Sequence, residues 1–112
     1  MPRIVYERRP NVSLTTFVVI ARITLQPGSR TAFLPVAAAD ARESLANEAG
    51  CIAFNVLVPE DDENHVVFHE IYRDREAFDL HLTQPHFHAF ERDAEHLMVG
   101  KPEITFFGAY SN

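Results

Sequence analysis

The stretch Thr15-Thr16-Phe17-Val18-Val19-Ile20-Ala21-Arg22-Ile23-Thr24-Leu25-Gln26 decides how this chain folds. Its Val, Ile, Phe and Thr suit a pleated, half-buried surface. The odd positions Phe17, Val19, Ala21, Ile23 and Leu25 are all apolar. The even positions begin apolar, at Val18 and Ile20, and end polar, at Arg22, Thr24 and Gln26. A period of two makes this a strand, and the pattern predicts burial on both faces at its start and on one face at its end.

Working outward, Pro27-Gly28 ends the strand, and Ser29 or Thr31 can cap the helix that follows. Phe33, Val36, Ala37, Ala41, Leu45 and Ala49 recur at helical spacing, and Gly50 is a suitable stop. Pro35 either lies within the first helical turn or kinks the helix. Cys51 to Pro59 reads as a second strand with Ile52, Phe54, Val56 and Val58 on one side. Glu60-Asp61-Asp62-Glu63-Asn64 is a solvated hairpin loop, and His65 to Tyr72 is a third strand. Asp74 caps a second helix carrying Ala77, Phe78, His81 and Leu82 on one face. Pro85 interrupts it, and the helix restarts with Phe87, Phe90, Ala94 and Leu97 as its apolar stripe. Gly100 and Pro102 close that segment, and Ile104 to Tyr110 reads as the last strand. Residues 1–13, with Pro2, Pro10 and Asn11, read as an N-terminal arm, and 14–112 as one domain. The order β-α-β-β-α-β predicts an α+β, ferredoxin-like fold: a four-stranded antiparallel sheet with both helices on one face.

Two helices cover only one face of such a sheet, yet the first and third strands carry apolar residues on both. Large apolar patches are rare on soluble monomers, so something else must cover the free face. A second copy of the chain is the simplest cover, which predicts a self-complementary homodimer.

Composition narrows the function. Sixteen Asp and Glu against ten Lys and Arg give a formal charge of −6, and binding nucleic acid needs clustered basic residues. A single cysteine, Cys51, rules out an internal disulfide and fits a reducing compartment. No segment approaches the ~20 apolar residues of a membrane span, and the N-terminus lacks the apolar stretch of a signal peptide. The expectation is a soluble, cytoplasmic protein bound to neither nucleic acid nor membrane.

Several polar side chains stand where chemistry is plausible. His81, beside Leu82 and three residues after Phe78, faces either the core or a pocket. Glu70 and Tyr72 share a strand face with Phe68 and Val66. Such a carboxyl either has a raised pKa or is a structural acceptor. Asn55, polar in the middle of the second strand, either satisfies a neighbour or meets a ligand. His69 points to the face assigned to the dimer. His86 and His88 diverge on a helix, and the compact His/Cys spacings of zinc or iron sites are missing, so no metal is expected. With four Gly in the chain, the glycine-rich phosphate loops are missing too.

The run Phe68-His69-Glu70-Ile71-Tyr72-Arg73-Asp74-Arg75-Glu76-Ala77-Phe78-Asp79-Leu80-His81-Leu82-Thr83-Gln84-Pro85-His86-Phe87 resembles the signature of the antibiotic biosynthesis monooxygenase (ABM) family. That pattern is E-x-[YW] at a strand end, D-x-x-A-[FL] at a helix start, then H-x-x-[TS]-x-[HD]-F. Upstream, Glu48-Ala49-Gly50-Cys51-Ile52-Ala53-Phe54 is similar to the family's turn into the second strand. The resemblance spans roughly residues 15–110. It implies a dimeric α+β barrel with a pocket between sheet and helices in each subunit. It also implies oxidation of quinols, anthrones or related phenols by O₂ without flavin, haem or metal. Other branches of the family isomerise a phosphorylated autoinducer sugar or degrade haem. The haem branch's pocket Asn aligns with Ala21 and its axial His with Glu91, which speaks against haem. Its pocket Trp aligns with Tyr72.

The resulting expectation is a cofactor-independent monooxygenase acting on a small aromatic substrate and O₂. His81 would accept the proton, and Tyr72 and Asn55 would bind substrate oxygens. Glu70 would orient one of them, Phe54 and Phe87 would form walls, and His86, Phe17 and Phe78 would complete the pocket. The alternatives are the isomerase and a non-catalytic dimeric binding protein.

Overall fold

A computed structural model describes residues 13–111, with side chains from 15 to 110. The elements are β1 (Ser13–Thr24), α1 (Arg30–Asn47), β2 (Cys51–Leu57), β3 (His65–Tyr72), α2 (Arg75–His81), α3 (Pro85–Ala94), a 3₁₀ turn (Glu95–Leu97) and β4 (Glu103–Ser111). The expected arm lies outside the described residues except for Ser13, which opens β1. The strands form one antiparallel sheet in the order β2-β3-β1-β4. This is the ferredoxin-like α+β arrangement that the element order predicts.

The odd side chains of β1 and the even ones of β3 face the helices. Val19, Ala21, Ile23 and Leu25 are buried there with Val66, Phe68 and Tyr72. From the helical side Phe33, Ala37, Phe90 and Ala94 pack onto them. The opposite face carries Val18, Ile20, Ile71, Leu57 and Phe107, joined by the registers Val18↔Ile71, Val18↔Phe107, Ile20↔His69 and Leu57↔Val67. On the chain alone Leu57 and Phe107 are each 48% exposed. The apolar start of both faces of β1 is therefore real, and none of the described residues covers the second face.

Of three local expectations, one is settled and two need correction. Pro35 sits inside α1, at its sixth residue, rather than in the first turn. Ser29 occupies the N-cap position, but its side chain caps nothing. In β2 the register shifts between Cys51 and Ala53, so Ile52 is an extra residue turned out to solvent, 54% exposed, instead of lying beside Phe54. Just before that bulge, a Cβ on Gly50 would lie 2.5 Å from Ala77 Cβ. Glycine is needed here because α2 crosses the start of β2 at backbone contact. Asp74 does cap α2, accepting from the Ala77 N–H at 2.8 Å. Pro85 stands at the first residue of α3, where its missing N–H costs nothing. No helix of the described residues is long and apolar enough to cross a membrane.

Candidate functional site

Between the helix-bearing sheet face and α1, α2 and α3 lies a cavity of about 530 Å³. Its walls are apolar and aromatic, with Ala21, Ile23 and Ile104 from the sheet and Phe68, Phe78, Phe87 and Phe90 around them. Asp40, Glu70 and His81 supply the polar atoms inside, while Glu91, Glu95 and Lys101 are exposed side chains of the lining. A concave, mostly apolar site with a few convergent polar groups is the common form of a small-molecule pocket.

His81 is built into this wall at the end of α2 and is 2% exposed. Its Nδ1 lies 2.9 Å from Glu48 Oε2 and 3.2 Å from Glu48 Oε1. A neutral imidazole that donates through Nδ1 leaves Nε2 as the acceptor, and Nε2 has no hydrogen-bond partner among the described residues. Burial holds the His81 pKa below its ordinary value, and the Glu48 hydrogen bond and charge work against that shift. His86 donates from Nε2 to the same Glu48 oxygen. Three element ends thus converge: the C-cap of α1, the last residue of α2 and the second residue of α3. The donor atoms of Glu48, His81 and His86 all lie within 4.8 Å of one another. Two imidazoles and a carboxylate are also a donor set that suits a first-row divalent ion.

The second polar group is a pair of carboxyls. Asp40 is 4% exposed and accepts one long hydrogen bond, from Ser44 Oγ at 3.5 Å. Burial raises its pKa to about 7, helped by the charges of Glu70 and Glu48 and opposed by His86 and Ser44. Glu70 is 5% exposed and accepts from the Tyr72 hydroxyl at 2.6 Å. Burial raises its pKa to about 7 as well, while the Tyr72 bond lowers it. Burial and Glu70 together push the Tyr72 hydroxyl far above its usual range, so it stays a donor.

The structure brings together most of the residues singled out in the sequence. His81, Glu70, Phe78 and Phe87 line the cavity. Phe54 is not in the lining but backs His81, at 6.0 Å between ring centres, and His86 backs it through Glu48. Phe17 stands further off, stacked at 5.3 Å on Phe106 under the Arg75 guanidinium. Two assignments change. Tyr72, wholly buried, is outside the lining and gives its proton to Glu70, so it orients Glu70 rather than the reverse. Asn55 lies on the open sheet face, exposed, with its amide 3.2 Å from His69 Nδ1. The β2 bulge and the alternation of the strand carry it away from the cavity. Of Ala21 and Glu91, the two positions that count against haem, both line the cavity.

Asp40, Ser44 and Glu48 were not anticipated. They sit at four-residue steps along α1, on the same buried side as Phe33, Ala37 and Ala41, while Leu45 is 47% exposed and Ala49 faces solvent. The signal was present in that spacing: polar residues in the buried stripe of a helix predict a polar site.

The family model described as antibiotic biosynthesis monooxygenase matches residues 16–93. PA3566 from Pseudomonas aeruginosa is 28% identical with a TM-score of 0.79, over 87% of this chain and 96% of that one. A solved structure named as an antibiotic biosynthesis monooxygenase is 26% identical with a TM-score of 0.75, over 83% of this chain and 97% of that one. A Nitrosomonas europaea protein reaches a TM-score of 0.83 at 20% identity, over 87% of this chain and 92% of that one, and shares the fold. An uncharacterized Synechocystis protein, sll1783, is 29% identical over 90 residues, 80% of this chain, which spans 60% of that relative's length. With the match covering both β1 and the whole His81 neighbourhood, the chain belongs to the antibiotic biosynthesis monooxygenase family.

Proposed function

We propose that this chain is a cofactor-independent monooxygenase that oxidises a quinol or related phenol with O₂. The observation that carries the reading is His81: buried, held through Nδ1 by Glu48, with Nε2 unbonded in the wall of an aromatic cavity. A substrate hydroxyl gives its proton to His81 Nε2, and Glu48 stabilises the imidazolium that forms. The electron-rich phenolate then reduces O₂ directly. One oxygen atom enters the ring and the other leaves as water, whose two hydrogens come from the quinol, so quinol plus O₂ gives hydroxyquinone plus water. Phe68, Phe78, Phe87 and Phe90 keep bulk water from the intermediate. An isomerase acting on a phosphorylated sugar fits less well, because the lining offers a phosphate only Lys101, beside Glu91 and Glu95.

The test is O₂ uptake by metal-stripped protein over a panel of quinols and anthrones, corrected for autoxidation. Saturable uptake that survives a chelator is expected. Uptake that a chelator abolishes moves the chemistry to an ion held by Glu48, His81 and His86. No uptake above background, with or without tight binding of the panel, overturns the oxidase reading.

The open sheet face is the surface for a second copy of the chain. Val18, Ile20, Ile71, Leu57 and Phe107 give it an apolar field around the Asn55–His69 pair. Burial of such a field by an identical one produces a closed two-fold pair, which is the homodimer that the sequence pattern calls for.

A further inference from the structure

The cavity has an unusual charge balance for one that handles a phenol. Two of its carboxyls, Asp40 and Glu70, are at least nine-tenths buried, and among the described residues neither is paired with a cation. Among the described side chains, Glu70 accepts only from the Tyr72 hydroxyl, and Asp40 only from Ser44 across 3.5 Å. The second carboxyl oxygen of Asp40 has no partner among the described residues, although the side chain lines the cavity. Two more carboxyls, Glu91 and Glu95, belong to the exposed part of the lining. Against these four acids stand His81 and one lysine, Lys101. The arginines near the site turn elsewhere: Arg75 lies over the Phe17 and Phe106 rings, 5.3 and 4.8 Å from their centres, and Arg73 reaches Asp74. The same lining holds Phe68, Phe78, Phe87 and Phe90, and the faces of such rings attract cations.

A buried carboxyl without a counter-charge is costly, and a ligand that brings the counter-charge recovers that cost on binding. A ligand that brings another negative charge adds to it. We infer that the cavity selects an aromatic molecule carrying a protonated amine, and turns away the same ring carrying a carboxylate or a phosphate. This rests on the reading of the cavity as the substrate site of a phenol-oxidising protein, and it narrows the substrate to phenolic amines. The ammonium sits toward Asp40, the phenol toward His81, and the ring among the phenylalanines.

Three probes with one ring and different charge test this: dopamine, 4-methylcatechol and 3,4-dihydroxyphenylacetate, bound anaerobically and followed by calorimetry at pH 7.5. Dopamine is expected to bind at least ~10-fold tighter than the acid, with the neutral catechol between them. Asp40→Asn is expected to remove most of the dopamine advantage while leaving 4-methylcatechol affinity within about threefold. The double variant Glu91→Gln/Glu95→Gln, at exposed positions, reduces the same advantage by a smaller factor. Equal or tighter binding of the acid, or dopamine no tighter than 4-methylcatechol, overturns the inference. In either case oxidation of 4-methylcatechol with O₂ uptake leaves the proposed function standing. Failure of all three probes to bind overturns the inference, and if O₂ uptake is also lacking across the wider panel it overturns the proposed function too.

Discussion

Glu48 and His81, 33 residues apart in the chain, face each other with Oε2 2.9 Å from Nδ1, each side chain only 3% exposed. The pair fixes which imidazole nitrogen is free, and it puts a negative charge behind the one that must accept a proton.

If that is how the site works, His81→Ala lowers kcat by about 10²–10⁴-fold with the fold intact. Glu48→Gln keeps an acceptor for Nδ1 but withdraws the charge that supports protonation of His81. Its kcat falls by a smaller factor, about 10–100-fold, and the acid limb of its pH profile moves to lower pH because the base has become weaker. A profile that does not move in Glu48→Gln, measured by steady-state O₂ uptake, removes the pair from the mechanism.

Asp40 makes stability depend on pH in the direction opposite to that of most carboxylates. Its folded value near 7 lies above the ordinary aspartate value near ~3.9, so the folded protein holds a proton that the unfolded chain has lost. The stability linked to that proton is complete below pH ~4 and is lost as pH rises through about 7. Asp40→Asn no longer carries this term. The variant is expected to gain up to about 4 kcal/mol on the parent between pH 4 and pH 8, three pKa units at ~1.4 kcal/mol each. Thermal melts at the two pH values check it, and a parent and variant whose melting points stay in parallel refute it.

Tyr72→Phe separates support from catalysis. The variant strips Glu70 of its 2.6 Å donor and leaves a buried acceptor unsatisfied, at a cost of about 1–3 kcal/mol. Because the Tyr72 hydroxyl does not line the cavity, kcat should fall less than about tenfold, with most of the change in KM. A loss as large as that of His81→Ala would return Tyr72 to direct contact with substrate.

On the open sheet face, Ile20 pairs with His69 and Thr105 and points away from the cavity. The parent chain of 12.7 kDa is expected to elute with twice that mass by light scattering, and Ile20→Glu with the mass of one chain. A monomeric parent disproves the assembly.

The sheet, its topology and its open face were legible because period-two patterns in β1 and β3 are strong and because Pro27-Gly28, Gly50 and Pro85 punctuate the chain. His81, Glu70 and Phe87 were legible from their neighbours. What was hidden depends on matters that spacing does not encode. A single bulge at Ile52 changes the face of the residues around it, and the outward turn of Asn55 follows only from the strand register. Asp40, Ser44 and Glu48 stay hidden because residue type alone draws the apolar stripe of α1 through Leu45 and Ala49, both of which face solvent. Their true alignment, with polar atoms turned inward, follows from a cavity that only the packed helices create.

The break between α2 and α3 has a consequence for the geometry of the site. Residues five apart on an uninterrupted α-helix point about 140° away from each other, so His81 and His86 would then never meet one carboxylate. Here the chain leaves the helix after His81, passes through an extended Gln84 at ψ 147, and restarts at Pro85. That detour re-aims the second imidazole at the first one's partner. Helical continuity and the Glu48 cluster therefore exclude each other across residues 82–85, and a change there that heals the helix dismantles the cluster without touching any of its members.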